Sequence, residues 1–332
     1  MALSIVLVNF KSPQLHIDCL TEIYKDSVAS TFEIIEVDNN SGDDSRVRIT
    51  SAFPKVKWLQ LDSNAGFSRA NNAGMRIASG DVMLLLNGDT LPRGRDIEEC
   101  YRRLMSSDYV ACGVQLLNAD GSHQITGNYV MKGGLNYLLP VPYLGDVVKW
   151  LGNLVKVDKP HVPEKVGIIE VDWINGAFLM VKRSAIDKAG MFDEDFFLYA
   201  EESEWCGRIR KVGKICLYGD LEVVHLQGVT ANLAFGSDGK GYVNIYDRKG
   251  LQLMLSNFVR IRKQFGIGWF LLQLLFYILD IPFFFVLMLL SRLVGKASYT
   301  WSQFRSYCRN IGVVLAKTPY ILRNKPYFYK VI

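Results

Sequence analysis

From residue 255 to the end the chain has one acid, Asp280, against eleven Lys and Arg, a net charge of +10. The remaining residues hold 27 basic against 32 acidic side chains, or −5, so the overall +5 hides two opposite halves. A segment short of acids is drawn to anionic surfaces. Nucleic acid is the competing partner, and the apolar runs between these basic residues tell against it, because a nucleic-acid face must stay solvated. Cys-x-x-Cys pairs are absent. The six cysteines, Cys19, Cys100, Cys112, Cys206, Cys216 and Cys308, match no zinc module and read as reduced cytosolic thiols. No basic lead precedes the apolar stretch Leu3 to Val8 and no cleavage site follows it, so it reads as a strand rather than a signal peptide, and this part of the chain is expected in the cytoplasm. Internal repeats and low-complexity segments are also missing. What remains is 332 residues, 49% hydrophobic, enough for two domains with a large core.

Strand and helix signals alternate. Residues 3–9, 32–38, 56–61 and 82–86 read as buried strands. Residues 13–29 (Leu15, Cys19, Leu20 and Ile23 on one face) and 68–78 read as helices. Farther on, 171–181 and 215–224 read as strands, 184–189 and 202–212 as helices. The stretch 120–170, with Gly133-Gly134 and Pro140, Pro142, Pro160 and Pro163, reads as an irregular excursion. The alternation predicts an α/β fold with a mostly parallel central sheet and helices on both faces. Ligands of such sheets bind beyond the carboxyl ends of the strands, where Asn9, Asp38 and Asp89 fall.

Two acidic clusters stand about 110 residues apart. In Leu84-Leu85-Leu86-Asn87-Gly88-Asp89 an apolar strand delivers one carboxylate to a loop. In Phe192 to Glu204 an aromatic-lined segment delivers several, and His225 follows. One carboxylate to hold a metal and another to act as base is what sugar transfer from a nucleotide diphosphate requires. With Ser4 to Phe10, Val37-Asp38-Asn39-Asn40-Ser41 and Asn64 to Gly74, these five motifs resemble, in order, the family 2 glycosyltransferases of the GT-A, Rossmann-like fold. The likeness is nearest to the bacterial rhamnosyltransferase-like branch. It covers roughly residues 3 to 228.

That resemblance implies a catalytic domain at 1–228, with a nucleotide-sugar half to about 118 and an acceptor half at 119–228, followed by a helical region at 229–332. It implies that Asp38 accepts a hydrogen bond from the donor's pyrimidine N–H, with Asn39 and Asn40 as turn residues. Asn9, Asn64, Gly66, Phe67, Arg69, Asn72 and Asn87 would complete the donor site. Gly66 would let backbone approach the ligand, and the helix start beside it would face the diphosphate. Asp89 and His225 would hold a divalent cation, Mg2+ or Mn2+. Asn87 stands where the family usually has Asp. Glu201-Glu202-Ser203-Glu204 matches the family's Glu-Asp-x-Asp, with Glu202 as base and Glu201 as the alternative. Trp173, Asn175, Gly176, Phe197 and Glu201 would border the acceptor, with core packing an equal reading for Trp173 and Phe197.

The function implied is inverting transfer of a sugar, L-rhamnose from dTDP-rhamnose, to a lipid-linked glycan at the cytoplasmic face of a bacterial inner membrane. Alternatives are a UDP-sugar donor or an inactive scaffold of a membrane assembly. The lipid acceptor is inferred from the tail. Residues 265–290 are almost wholly apolar, yet Asp280 and Pro282 interrupt them. Arg260, Arg262 and Lys263 precede, and Arg292 and Lys296 follow. Basic flanks on both sides favour a re-entrant hairpin bent at 280–282, or two interfacial helices, over a span. A buried hairpin in a homo-oligomer interface is the bland reading.

Overall fold

The computed structural model describes residues 2–130, 132–154, 167–226, 235–237, 244–296, 298–324 and 330. It divides into two compact units. The first comprises Met1–Tyr129, Pro160–Phe197 and Glu201–Thr230; the second comprises Val130–Lys159, Leu198–Ala200 and Ala231–Ile332.

The first unit is built on β1 (Leu3–Asn9), β2 (Glu33–Asp38), β3 (Lys57–Gln60), β4 (Val82–Leu86), β5 (Thr90–Leu91), β6 (Ala111–Leu117), β8 (Ile168–Glu170), β10 (Phe178–Lys182) and β11 (Ile215–His225). The order is β3-β2-β1-β4-β10-β6-β11-β5, with β8 also on β11. β7 (Gly127–Asn128) and β9 (Trp173–Ile174) form a separate pair. β3, β2, β1 and β4 are mutually parallel. β10 is antiparallel to both β4 and β6, and β6 is parallel to β11. β5 and β8 run antiparallel to β11. The sheet is therefore mixed, where a mostly parallel one was expected. Its six co-directional strands nevertheless bring the carboxyl ends of β1, β2, β4 and β11 to one edge.

Helices α1 (Pro13–Tyr24), α2 (Ser45–Ala52), α3 (Phe67–Ile77), α4 (Gly94–Met105), α6 (Arg183–Ala189) and α7 (Glu201–Ile209) belong to this unit, and α5 (Leu144–Leu154) to the second. Two apolar clusters fill the first unit. One gathers Leu3, Ile5, Leu7, Cys19, Leu20, Ile23, Leu84 and Phe178, the other Val6, Ile35, Leu85, Leu179, Trp205 and Ile215. Alternate residues of β1 serve the two clusters, as the period of a strand covered on both faces requires. Helix α1 stops at Tyr24, earlier than its periodicity predicts, and a 3-10 turn follows at Ser27–Thr31. The expected strand 171–181 is two pieces, because Asn175-Gly176-Ala177 turns the chain between β9 and β10: Asn175 Oδ1 accepts from Ala177 N at 2.9 Å. The excursion at 120–170 contains α5 as well as irregular chain.

The second unit holds α8 (Arg248–Phe265), α9 (Ile267–Leu293) and α10 (Trp301–Leu322). In place of a hairpin at 280–282, α9 is one continuous helix with Pro282 inside it. Its buried residues, Phe270, Gln273, Leu274, Tyr277, Asp280, Phe284 and Met288, recur every three or four positions. Asp280 thus lies on the inward stripe, near the Tyr307 hydroxyl, and does not break the helix. Leu275, Leu279, Phe283, Val286 and Leu290 face out, each exposed. By length and composition α9 is long and apolar enough to cross a membrane. Arg260, counted among the basic flanks, is buried and bonded to the Tyr137 hydroxyl and to Gln264.

Candidate active site

β2 ends at Asp38, whose carboxylate takes four donors. Asn9 Nδ2 (2.8 Å) and Ser41 Oγ (2.5 Å) meet Oδ1; Ser41 N (2.9 Å) and Gln60 Nε2 (2.7 Å) meet Oδ2. A carboxylate offers about four lone-pair sites, so a ligand N–H reaches Asp38 by displacing one of these. Gln60, exposed on edge strand β3, is the one of these donors at the surface; its amide also meets Leu61 O at 3.1 Å and Trp58 Nε1 at 3.2 Å. A cleft of about 390 Å3 opens there, lined by Asp38, Asn40, Arg46, Trp58, Gln60 and Asp62 among others. Asn9 is fully buried and braces Asp38 from behind. Asn40 has the left-handed φ of 60° of a turn residue. Asn39 does more than turn: its amide donates to Asn64 Oδ1 (3.0 Å) and accepts from Ala65 N (2.7 Å), tying two loops together.

Gly66 makes its close approach to protein. Its φ is +83°, and the space its Cβ would fill belongs to Phe197, whose carbonyl also takes the first N–H of α3, that of Phe67, at 2.7 Å. That N–H is therefore not open to a diphosphate. Asn72 spends both amide hydrogens on Phe192 O and Glu194 Oε1, and its carbonyl on Phe192 N. Arg69 Nε bonds Glu194 O at 3.1 Å. Both hold the 192–194 segment onto α3.

β4 runs into Asn87, Gly88 and Asp89. Gly88 lies against the His16 ring, and any side chain there would collide with it. His16 in turn pairs through Nδ1 with Glu36, both buried. The heptad-like spacing 16, 19, 20, 23 on α1 carried the signal for His16. Asp89 O accepts from Leu226 N at 2.8 Å, and Thr90 pairs with His225 in register. His225 Nε2 therefore stands 3.3 Å from Asp89 Oδ1, while its Nδ1 is 2.9 Å from Gln124 Oε1. Gln124 carries no signal in sequence spacing. Two lone-pair bearers so close repel unless a proton or a cation sits between them. The span is near that between adjacent ligands of an octahedral cation, about 3 Å. A carboxylate oxygen and an imidazole nitrogen also suit Mg2+ or Mn2+. The pair fits a divalent cation; among the described residues no third His, Cys, Asp or Glu joins it.

Helix α7 begins with Glu201 and Glu202, directly after Tyr199 (φ 72°) and Ala200 (φ 65°), two consecutive left-handed residues that are not glycine. Such conformations cost roughly 1–3 kcal/mol each and collect at functional sites. Glu202 lies beside Gly176 and Phe67: a methyl on Gly176 would sit 3.6 Å from Glu202 Cβ and 3.7 Å from Phe67 Cε1. Desolvation pushes the Glu202 carboxyl up to about 7. Glu201 is buried, its Oε2 meets no donor, and desolvation together with the neighbouring Glu202 charge lifts it well above the ordinary range. Of the expected acceptor residues, Phe197 is buried against Gly66, Asn175 shapes the β9–β10 turn, and Trp173 is part-buried on the core. Asn87 N bonds Ala177 O at 3.0 Å, which joins the metal-side loop to the Gly176 turn.

Residues 4–153 match the family model described as glycosyl transferase family 2. A low-salt glycan biosynthesis hexosyltransferase of Haloferax volcanii is 28% identical over 214 residues, covering 63% of this chain; the match spans only 62% of that relative's length. The N-acetylglucosaminyl-diphospho-decaprenol L-rhamnosyltransferase of Mycobacterium tuberculosis is 23% identical over 239 residues, 67% of this chain and 75% of its own. A mannosyltransferase of Pyrobaculum calidifontis, solved with GDP-Man and Mn2+, superposes over 98% of this chain and 88% of its own, with a TM-score of 0.51 and 14% identity; that likeness is one of fold.

Proposed function

We propose that this chain is an inverting, metal-dependent glycosyltransferase, a reading supported by the match of residues 4–153 to the family 2 glycosyltransferase model and by a GT-A-like mixed sheet flanked by helices. Its donor in this reading is dTDP-L-rhamnose. Its acceptor is a lipid-linked glycan at the cytoplasmic face of a bacterial inner membrane, in surface-polysaccharide synthesis. The mycobacterial relative, by its name, supports the sugar and the lipid diphosphate; the haloarchaeal one supports the coarser class of hexosyl transfer. The outward apolar face of α9 supports the membrane. The observation that carries the reading is the facing pair Asp89–His225 at the sheet edge that also holds Asp38.

In this mechanism Asp38 exchanges Gln60 for the pyrimidine N–H of the donor, with Asn9 holding its carboxylate in place. Asn64 and Asn87 flank the path from base to diphosphate. Asp89 and His225 would hold Mg2+ or Mn2+, which when bound neutralises charge on the departing nucleotide diphosphate. Glu202 takes the proton of the acceptor hydroxyl as that oxygen bonds to the anomeric carbon from the face opposite the diphosphate. The bond from carbon to diphosphate oxygen breaks in the same displacement, so configuration inverts. A base with a value near 7 is matched to this task. Trp173 offers a part-exposed ring for the acceptor sugar.

The test is a donor screen with the purified full chain, Mn2+ and a lipid-diphosphate disaccharide. dTDP-rhamnose is expected to be consumed faster than UDP-glucose, UDP-galactose or UDP-N-acetylglucosamine. Preference for a UDP-sugar would replace the rhamnosyl assignment. Neither transfer nor hydrolysis of any donor would leave an inactive scaffold.

A further inference from the structure

We propose that Gln124 is a positioning residue that fixes the tautomer of His225 and so turns its Nε2 lone pair toward Asp89. The inference rests on the reading of Asp89 and His225 as cation ligands. The orientation of the Gln124 amide follows from its surroundings. Its Nε2 stands 2.6 Å from His225 O, 2.8 Å from Asn118 Oδ1 and 3.3 Å from Leu117 O, all acceptors. The Asn118 amide is itself oriented, since its Nδ2 donates to Ser122 Oγ at 2.8 Å. A flipped Gln124 would set its carbonyl oxygen against three oxygens, so Oε1 is the atom that faces His225 Nδ1, at 2.9 Å.

An amide oxygen only accepts, so Nδ1 must carry the ring proton. In a neutral ring Nε2 then bears the lone pair, and it points at Asp89 Oδ1, 3.3 Å away. The support is rigid. Gln124 N donates to Leu116 O at 2.9 Å, Gln124 O accepts from Gln115 Nε2 at 3.1 Å, and Leu226 N holds Asp89 O at 2.8 Å. Partners of this kind set the orientation and basicity of a ligating histidine, and their loss commonly costs about 10- to 100-fold in metal affinity.

The experiment uses the full chain labelled with 15N-histidine. It has four histidines, and His225→Gln identifies the signal by its disappearance. In metal-free protein, long-range 1H–15N spectra are expected to show a proton on Nδ1 of His225, whether or not Nε2 also carries one. Gln124→Leu should shift it toward the Nε2–H form. Gln124→Met keeps the length and bulk but offers Nδ1 no acceptor oxygen, and should shift the tautomer as Gln124→Leu does. Mn2+ binding, read by loss of the free-ion EPR signal with and without dTDP, should weaken on the order of 10- to 100-fold in both variants. A purely packing role would spare the near-isosteric Gln124→Met, and a wild-type tautomer and Mn2+ affinity in that variant overturn the proposal. So does an Nε2–H tautomer in the wild type, or wild-type Mn2+ affinity in Gln124→Leu. If the wild type itself binds no Mn2+ with dTDP, the metal reading falls and takes this proposal with it.

Discussion

Glu202 and Glu201 are neighbours with different work, and their surroundings separate them. Glu202→Gln keeps the shape and removes the base, so transfer is expected to fall roughly 10²- to 10⁴-fold with donor affinity little changed. Glu201→Gln should lose less. Near wild-type transfer by Glu202→Gln with a dead Glu201→Gln would make Glu201 the base. Since Glu202 acts ionised, kcat/KM is expected to rise as pH climbs through about 7 and to level off above it; a flat profile through that window would count against Glu202. Glu201 also bears on stability. Its folded value lies above its unfolded one, so the unfolded chain releases its proton first, and folding is penalised as pH rises past the unfolded value. Thermal melts should therefore show Glu201→Gln gaining on the order of a few degrees near neutral pH and little in acid. At the other carboxylate, Asp89→Ala is expected to abolish the Mn2+ dependence of nucleotide-diphosphate binding in calorimetry, and His225→Ala to weaken it less. Unchanged dependence in Asp89→Ala would remove the metal assignment. The placement of Asp38, Asp89 and His225 at one sheet edge was legible in the sequence because Asp38 and His225 end strands and Asp89 follows one closely. The partners that aim them were not: Gln124 is 101 residues from His225, and Glu194 is 122 from Asn72, so no local spacing announces them.

At the scale of elements, what could be read was periodicity. β1, β2, β4 and β11 stand almost where their apolar runs place them, since a strand buried on both faces leaves a continuous run. The parallel sheet was over-read because strand direction depends on connections, and β10 reverses after a turn that Asn175 makes with its side chain. The hairpin at Asp280 was over-read because a linear sequence does not say which way a residue faces. Asp280 falls in step with Phe270, Leu274, Tyr277 and Phe284, and burial raises its carboxyl to about 7. Pro282, exposed, sits inside the helix without ending it. The outward stripe is the part of α9 that lipid would cover. Replacing Leu275, Leu279 and Phe283 together with Ser, each exposed already, is expected to lower co-flotation with anionic vesicles several-fold while dTDP binding stays unchanged. Each fully buried apolar side chain contributes about 1.5–3 kcal/mol, so three lost contacts are ample to detect. Flotation equal to wild type would move the membrane contact elsewhere.

At the scale of the whole molecule, charge and connectivity pull in different directions. The excess of basic residues after position 255 suggests trimming there to leave a soluble, nucleotide-binding protein. The structure makes a cut after Ser256 more damaging than that. It divides α8, whose buried Phe258, Val259 and Ile261 lie beyond it. Ser256 Oγ donates to Leu198 O at 2.7 Å, and Leu198 opens the three-residue stretch, ending in left-handed Tyr199 and Ala200, that leads into Glu201. A strained turn persists only where its surroundings hold it. Asn9, Asp38, Asp89 and His225 all lie in the first unit, so the truncated chain is expected to keep Mn2+-dependent dTDP binding. Transfer should fall at least tenfold, because Ser256, then the last residue of a cut helix, no longer holds the turn before Glu202 firmly. Ser256→Ala isolates the anchor without removing helix: it should lower kcat several-fold, leave dTDP affinity unchanged and preserve helical content by circular dichroism. Full transfer by the truncated chain would show that the 198–200 turn holds its own shape, and that the last third of the protein serves only to attach it.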